Sequence, residues 1–221
     1  MSAGDLRPIS PDVIGPGTLV LIVGPSGAGK DTLMRLAQRK LAQRNLAQAE
    51  SAKGDRKTTA HVHFARRLVT RSLEVAAFQS GEDHDILTPE AFARRRAAGA
   101  FVLAWRAHGL GYALGPEVRA QLSAGDCVVA NGSRATLGEA RARFAHLAVV
   151  LISAPQAVLA ARLAARGREN ELEIQERLSR APAMPVKPDL IIQNMGDPED
   201  AATRLAAFIV AEAQGQPPHC R

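Results

Sequence analysis

Apolar and amphipathic segments alternate along the chain. Four short runs are apolar without a period of two: residues 18–24 (TLVLIVG), 126–132 (DCVVANG), 146–154 (HLAVVLISA) and 189–194 (DLIIQN). Strands in the middle of a parallel sheet are covered on both faces and therefore carry such unalternating runs. The first three runs predict buried parallel strands, and residues 189–194 predict a further strand.

The segments between these strands have helical patterns. Thr88-Pro89-Glu90 predicts a helix start, with threonine as the N-cap, and Gly99 predicts its end; Asp197 caps the last helix. Alternating strands and helices predict an α/β fold of three layers, in which helices cover both faces of a parallel sheet. Further helices are predicted at 31–43, 115–125, 133–144, 155–167 and 197–213.

The remaining segments are less regular. Residues 61–71 (HVHFARRLVTR) predict one strand and residues 101–109 (FVLAWRAHG) another, whereas residues 45–60 are a helix tail or a loop. Residues 72–86 predict a long irregular segment, and residues 167–181 predict a charged and mostly helical arm.

Length and composition favour a single globular domain. The chain has 221 residues, 46% of them hydrophobic and 23% charged, which excludes disorder as its main state. We expect one domain at residues 18–221, preceded by a flexible lead-in at residues 1–17. Only 4% of the residues are aromatic, so stacking platforms for single-stranded nucleic acid are not expected.

The net charge is +6, and arginine clusters carry the excess. A basic chain attracts nucleic acid, anionic membranes or small phosphorylated ligands, and arginine favours bidentate binding of phosphate. The alternative is that most of these arginines solvate helix faces. A reader of nucleic acid is the weakest interpretation, since no basic stripe is interleaved with aromatic residues.

The cysteines and the N-terminus bear on localisation. Cys127 lies in an apolar run and Cys220 next to the last residue, which predicts no metal site and fits a reducing, cytoplasmic setting. The first residues lack the basic and apolar regions of a signal peptide, and no apolar run reaches the length of a membrane span. We therefore expect a soluble cytoplasmic protein without a membrane partner.

The stretch LVLIVGPSGAGKDTL at residues 19–33 contains a phosphate-binding loop between a strand and a helix. Gly24-x4-Gly29-Lys30 matches this loop through its lysine. The glycines let backbone N–H groups point at phosphate oxygens, and Lys30 would neutralise the β- and γ-phosphates. The alternative is a glycine-rich turn that contains a lysine by chance. The predicted nucleotide-binding residues are Gly24, Pro25, Ser26, Gly27, Ala28, Gly29, Lys30, Asp31 and Thr32.

Asp31 stands where such loops carry the serine or threonine that binds Mg²⁺. Its carboxylate could bind Mg²⁺ directly or through water, but it would repel a triphosphate unless the metal lay between them. Alternatively, Asp31 caps the helix, stabilises its dipole and leaves Thr32 to contact phosphate. Under both interpretations the loop binds a nucleotide; we expect ATP with Mg²⁺, and the sequence leaves GTP open.

Two arginine clusters favour a small kinase over the hydrolases, switches and motors that share this loop. A kinase needs a second anion site and a mobile arm whose arginines cover the transferring group. Arg67 and Arg71 flank the second predicted strand and are the first candidates for the phosphates of the acceptor. The catalytic candidates, besides Lys30, are the arginines of the arm: Arg162, Arg166, Arg168 and Arg177.

Further polar residues are candidates for binding the acceptor. Ser133 and Arg134 follow the carboxyl end of a predicted strand, where open α/β sheets bind ligands. For the others, an internal hydrogen bond of the protein is at least as good an explanation. These others are Glu82, His84, Asp85, His108 and Tyr112, whereas Phe101 and Trp105 are expected in the core.

Several segments resemble, in order and spacing, the guanylate-kinase-like branch of the nucleoside monophosphate kinases. They are GPSGAGK, RLVTRS followed by Gly81-Glu82, FVLAW…GLGYALG, and ARGRENELEIQERL, and they cover most of residues 18–195. The resemblance implies a P-loop core sheet, an acceptor-binding lobe at about 62–115 and an arginine-bearing lid at about 162–180.

Two departures from that branch disfavour guanine as part of the acceptor. Guanylate kinases read guanine with carboxylates, but the corresponding stretches here, Leu103-Ala104-Trp105 and residues 130–134, contain no acid. The guanine N1–H and N2–H₂ groups would then lack acceptors, at a cost of about 1–3 kcal/mol each if buried.

The combination of GKD, RLVTR, EDH, WRAHGLGY and N-x-SR resembles the ribose 1,5-bisphosphate phosphokinases of phosphonate breakdown. This resemblance implies an ATP-dependent kinase that converts a phosphorylated sugar, ribose 1,5-bisphosphate, to 5-phospho-α-D-ribose 1-diphosphate (PRPP). The acceptor atom is a phosphate oxygen, so no general base is required. The alternatives are a nucleoside monophosphate kinase, guanylate kinase first, and a non-catalytic binding module of the same type. The oligomeric state, a homodimer included, stays open.

Overall fold

In the computed structural model, residues 13–51, 61–71, 84–107, 109–165 and 186–215 are described. Their strands form two sheets, with helices packed around them. In chain order the elements are β1 (Ile14–Val23), α1 (Lys30–Ser51), β2 (Val62–Phe64), β3 (Arg67–Thr70), β4 (His84–Leu87), α2 (Pro89–Ala97), β5 (Leu103–Ala107), β6 (Leu110–Leu114), α3 (Pro116–Ser123), β7 (Cys127–Asn131), a 3₁₀ helix (Arg134–Thr136), α4 (Leu137–Arg143), β8 (Phe144–Ser153), α5 (Gln156–Ala164), β9 (Leu190–Gln193) and α6 (Pro198–Ala213).

The larger sheet contains five parallel strands in the order β2-β7-β1-β8-β9. Successive side chains of its central strand, β1, point to opposite faces. Val20 and Ile22 pack in one buried cluster with α1 and α6, whereas Leu19 and Leu21 pack in another with α3 and α4. The predicted α/β fold, a parallel sheet with helices on both faces, is confirmed.

The smaller sheet has the order β4-β3-β6-β5 and mixes parallel and antiparallel pairs. Together with α2 it is called the small lobe below. Phe92 of α2 packs against Phe101 and Ala113, and Trp105 lies in the core cluster beneath the larger sheet. The core positions predicted for Phe101 and Trp105 are confirmed.

The prediction of one strand at residues 61–71 is wrong, because this segment divides between the two sheets. Val62 pairs with Cys127, and the N–H of Ala65 still donates to the carbonyl of Val129 at 2.9 Å. From Arg67 onward the backbone pairs with β4 and β6 of the small lobe. The irregular segment predicted at 72–86 also ends in a strand, β4, and β6 has no counterpart among the predicted strands.

The predicted helix starts are confirmed by their caps. Thr88 Oγ1 accepts a hydrogen bond from Ala91 N–H at 3.2 Å at the start of α2. Asp197 Oδ1 accepts one from Glu199 N–H at 2.9 Å at the start of α6. Both side chains satisfy backbone donors that have no partner within the helix.

One element start differs from the prediction, because β1 begins at Ile14 rather than at residue 18. α1 continues to Ser51, which agrees with the helix tail that was one of the two alternatives for residues 45–60. The first residues of the predicted lead-in, 1–12, and the arm predicted at 167–181 lie outside the described residues. Within the described ranges, no helix combines the length and the apolar character needed to cross a bilayer.

Glu212 of α6 gives the fold a pH dependence. It lines a cleft with Thr18 and Cys127, which pair with each other in β1 and β7 near the amino end of β7. Burial raises the pKa of the Glu212 carboxyl, and the negative charge of Asp189 raises it further. The folded protein therefore holds this proton more tightly than the unfolded chain does, and the associated stability is lost as the pH rises through the raised pKa.

We expect Glu212→Gln to have a larger free energy of unfolding than the parent protein at about pH 7.5, and the difference to vanish below about pH 4. The gain at neutral pH should stay below about 1 kcal/mol, because solvent screens a half-exposed carboxylate. Urea unfolding of both proteins at the two pH values measures it. A difference of equal size at both values would contradict the assignment.

Candidate active site

The loop between β1 and α1 allows phosphate to approach the backbone closely. Its glycines have positive φ angles: 153° at Gly24, 81° at Gly27 and 89° at Gly29. A side chain at Gly24 would place its Cβ 2.0 Å from the carbonyl oxygen of Ile152, so only glycine fits between the loop and β8. The predicted strand–loop–helix arrangement is confirmed, with α1 beginning at Lys30.

Lys30 folds back over this loop. Its Nζ donates to the carbonyl oxygen of Gly24 at 2.9 Å and to that of Pro25 at 3.0 Å. The ammonium group is therefore fixed beside the glycine-rich turn, at the positive N-terminal end of α1. Backbone N–H groups and a cation at one helix end fit the phosphates of a nucleotide.

Asn194 holds the loop from the side of β9. Its Nδ2 donates to the carbonyl oxygen of Ala28 at 2.8 Å, and its backbone N–H donates to that of Ser153 at 2.8 Å. The φ angle of Gly29 is 89°, and a Cβ there would lie 2.4 Å from Asn194 Nδ2, so any other residue would strain the backbone and displace the Asn194 side chain. The Asn194 side chain thus links the loop to the carboxyl end of β9.

Arg162, predicted on the arginine-bearing arm, lies in α5 and contacts the same wall of the site. Its Nη2 donates to the backbone carbonyl of Asn194 at 3.1 Å. Its Nη1 is buried and has no hydrogen-bond partner among the described residues. The guanidinium therefore carries an unused donor next to the residue that holds the loop.

Asp31 lies in the first turn of α1 and accepts two hydrogen bonds through one oxygen. Its Oδ1 accepts from Asn131 Nδ2 at 2.6 Å and from Arg67 Nη2 at 3.1 Å. The side chain is 67% exposed, and its second oxygen takes part in neither bond. Because α1 begins at Lys30, Asp31 is not the N-cap, although its charge lies favourably near the helix N-terminus.

Arg67 is the first residue of β3 in the small lobe, and its side chain reaches Asp31 at the start of α1. Its guanidinium carbon is 5.8 Å from the centre of the Tyr112 ring, which stacks on Trp105 with centroids 5.6 Å apart and planes 11° apart. The Arg67 side chain is only 19% exposed. Arg67, which was predicted to bind the phosphates of the acceptor, thus contacts the carboxylate of Asp31.

Arg71 and Arg134 lie at neighbouring element ends. Arg71 follows β3 and is half-buried, with its backbone N–H donating to the carbonyl of Leu87 at 3.1 Å. Arg134 begins the 3₁₀ helix after β7, and burial lowers the pKa of its guanidinium. Arg134 has no carboxylate partner in the described part of the chain, which makes it a candidate for an anionic ligand.

Two other predicted residues have internal contacts. Ser133 Oγ accepts a hydrogen bond from Ala135 N–H at 3.3 Å and caps the 3₁₀ helix. Asp85 forms an exposed ion pair with Arg66, at 2.9 Å. His84 begins β4 and is buried. Five predicted site residues, Glu82, His108, Arg166, Arg168 and Arg177, lie outside the described residues.

Sequence reasoning missed two asparagines of the site. Asn194 bonds to Ala28 in the loop, and Asn131 bonds to Asp31 at the start of α1. Asn131 is the last residue of β7, and Asn194 directly follows β9. Both are buried. The signal that could have found them is a polar residue closing an apolar run, because ligands of parallel sheets bind at the carboxyl ends of strands.

Comparison with known proteins decides the family. The chain is 44% identical over 197 residues to the ribose 1,5-bisphosphate phosphokinase PhnN of Rhodopseudomonas palustris, across 89% of this chain and 90% of that protein. It is 45% identical over 196 residues to the protein of the same name from Methylobacterium radiotolerans, across 89% and 99%. The chain belongs to the ribose 1,5-bisphosphate phosphokinase family. It is therefore a phosphotransferase, as its motifs predict.

A solved structure has a similar fold. The guanylate kinase of Anaplasma phagocytophilum superposes with a TM-score of 0.57, across 91% of this chain and 88% of that chain. At 16% sequence identity, the likeness shows the fold alone. The predicted guanylate-kinase-like P-loop fold is confirmed, whereas no protein-family model matches the chain.

Proposed function

We propose that the chain transfers the terminal phosphoryl group of ATP to the 1-phosphate of ribose 1,5-bisphosphate, giving PRPP and ADP. The observation that carries this proposal is the similarity, along most of the chain, to relatives named for that kinase. The glycine-rich loop with Lys30 supplies the phosphate site that such a reaction needs. Because ATP and sugar phosphates are cytoplasmic metabolites, we place the protein in the cytoplasm.

The loop would hold ATP through its polyphosphate. Backbone N–H groups at the start of α1 would donate to phosphate oxygens, and Lys30 would exchange its present contacts with Gly24 and Pro25 for the β- and γ-phosphates. Bound Mg²⁺ would supply positive charge that offsets the charge of the phosphates. Asp31 could contact the metal through the oxygen that neither Asn131 nor Arg67 uses.

The acceptor needs positioning and charge neutralisation rather than a base. Its 1-phosphate is ionised at neutral pH, so one of its oxygens bonds to the γ-phosphorus while the bond to ADP breaks. Arg71 and Arg134 are the arginines that we assign first to its phosphates. Other residues proposed near the acceptor are Glu82, Asp85, His108, Tyr112 and Ser133, in a lobe at about 62–115. The residues proposed to neutralise the transferring group lie on a lid at about 162–180 and are Arg162, Arg166, Arg168 and Arg177.

A nucleoside monophosphate kinase is the alternative, and the small lobe disfavours it. Leu103 and Trp105 of β5 are buried in the core, and β5 carries no carboxylate that could accept from the edge of guanine. Asn131, in the second stretch where guanylate kinases carry an acid, donates to Asp31.

Steady-state release of ADP with a panel of acceptors tests the proposal. The panel contains ribose 1,5-bisphosphate, ribose 5-phosphate, AMP and GMP, each with saturating ATP and Mg²⁺. We expect ribose 1,5-bisphosphate to have a kcat/KM at least about 100-fold above that of GMP, since a site built for a sugar phosphate offers guanine no acceptors. Efficient turnover of GMP, or ATP binding without turnover of any acceptor, would contradict the proposal.

Asp31→Asn should raise the Mg²⁺ concentration that gives half-maximal activity, by about fivefold, because a neutral amide is a weaker ligand for a hard cation than a carboxylate. The measurement is a Mg²⁺ titration of initial rates at fixed total ATP. The maximal rate at saturating Mg²⁺ should change less than the midpoint. An unaltered midpoint would remove Asp31 from the metal site and leave only its contacts with Arg67 and Asn131.

A further inference from the structure

Asp31 creates an electrostatic problem in a loop that holds polyphosphate. It lies one residue after Lys30, in the first turn of α1, where phosphate-binding loops otherwise present neutral hydroxyl groups. A carboxylate a few ångströms from a triphosphate repels it, and the repulsion grows where protein displaces water. The charge must be balanced by a group of the protein whenever no metal lies between the two anions.

The structure contains that group in Arg67. Its Nη2 lies 3.1 Å from Asp31 Oδ1, the oxygen that also accepts from Asn131 Nδ2 at 2.6 Å. Asn131 ends β7 and is 2% exposed, so packing in the sheet restricts its amide, whose Nδ2 donates to Asp31. Asn131 therefore keeps the carboxylate turned toward Arg67.

The small lobe holds Arg67 in place. The Arg67 guanidinium lies over the Tyr112 ring at 5.8 Å, and Tyr112 stacks on Trp105, whose ring is anchored in the core. A cation over an aromatic face gains electrostatic stabilisation and loses side-chain freedom. Arg67 is thus a preorganised positive charge that the small lobe supplies to the nucleotide loop.

We propose that Arg67 is a positioning residue of the nucleotide site: it neutralises Asp31 so that the loop can bind polyphosphate. The small lobe, through Arg67, then contributes to nucleotide affinity before any acceptor is bound. This differs from a role of Arg67 on the phosphates of the acceptor. The inference rests on the nucleotide-binding part of the proposed function.

The test is a double-mutant cycle on the binding of ATP in excess EDTA, measured by titration calorimetry. Without metal, a role of Asp31 as a Mg²⁺ ligand does not enter the measurement. The variants are Arg67→Gln, Asp31→Asn and the double substitution. Arg67→Lys keeps the charge without the planar guanidinium. Arg143→Gln is the matched control. Arg143 pairs with Glu139 next to the amino end of β8, whereas Asp31 contacts Asn131 at the carboxyl end of β7.

We expect Arg67→Gln to raise the Kd of metal-free ATP by about fivefold, since it leaves a partly exposed carboxylate unbalanced. Asp31→Asn should lower the Kd or leave it within about twofold, and the double variant should return to within about twofold of the parent protein. Arg67→Lys keeps the positive charge that balances Asp31, and Arg143→Gln leaves that pair intact, so each should stay within about twofold.

The inference is overturned if Arg67→Gln leaves the Kd of metal-free ATP unchanged and raises only the KM of the acceptor. It is also overturned if the double variant binds ATP as weakly as Arg67→Gln, because the loss would then be independent of Asp31. If Arg67→Gln fails to fold, a weakening of ATP binding in Asp31→Asn still contradicts the inference. No binding of ATP to the parent protein would instead refute the proposed function.

Discussion

Lys30→Ala should lower kcat/KM of the ATP-dependent reaction by roughly 10³-fold while the protein stays folded. Lys30 Nζ lies within 3.0 Å of two carbonyl oxygens of the loop, so its charge is confined to the phosphate site. Under the proposed function, its removal would take away the cation that neutralises the transferring phosphates in the transition state, which backbone N–H groups alone would not replace. Initial rates, together with circular dichroism and thermal unfolding, separate the kinetic effect from misfolding.

Lys40→Ala is the control for this experiment. Lys40 lies further along α1 and pairs with Glu199 of α6 at 2.7 Å. Its removal deletes the same charge from the same helix without touching the loop, so kcat/KM should stay within about twofold and stability should fall by less than about 1 kcal/mol. Unchanged kinetics in Lys30→Ala, or equal losses in both variants, would refute the role of the loop.

Gly24→Ala should destabilise the protein by roughly 3 kcal/mol and abolish measurable binding of ATP. The φ angle of Gly24 is 153°, and a Cβ there would lie 2.0 Å from the carbonyl oxygen of Ile152 in the neighbouring strand. That oxygen belongs to the sheet and cannot move away, so the loop itself must shift. Urea unfolding gives the stability, and calorimetry gives the binding of ATP with Mg²⁺.

Gly138→Ala is the matched substitution. Gly138 lies in α4, and a Cβ built there meets no atom within 4 Å. Alanine should therefore stabilise the helix, by up to about 1 kcal/mol, because it restricts the unfolded chain. The two glycine substitutions should thus change stability in opposite directions. Equal effects would show that the close contact at Gly24 is not what requires glycine.

The phosphate loop could be predicted from the sequence because its determinants are local. A strand, a glycine-rich turn, Lys30 and the start of a helix follow one another within a few residues, and each has its own composition signal. The buried strands β1, β7 and β8 were likewise predictable, since strands covered on both faces are apolar throughout. β9 was predicted as a strand from its apolar run, although it lies at the edge of the sheet and Ile191 is 49% exposed.

The division of residues 61–71 could not be predicted, because it depends on distant partners. Val62 and Arg67 both belong to strands, but one pairs with Cys127 and the other with His84. A run of residues with strand propensity does not reveal which sheet each part joins. The small lobe, with its β6, is set by such pairings and was predicted only in outline.

The contacts of Asp31 show the same limit within the site. Its partners Arg67 and Asn131 are 36 and 100 residues away in the sequence. The sequence therefore placed a carboxylate beside the predicted phosphate site but could not show that Arg67 and Asn131 contact it. Asn194, which is 166 residues from Ala28 and bonded to it, escaped prediction for the same reason.

The most direct test of the proposed function is a competition in one tube. Equal concentrations of ribose 1,5-bisphosphate and GMP share a limiting amount of ATP with Mg²⁺, and ³¹P NMR follows the products. The proposal predicts a diphosphate on the sugar, PRPP, together with ADP, while GMP stays unchanged. Conversion of GMP to GDP, with ribose 1,5-bisphosphate left intact, would contradict it.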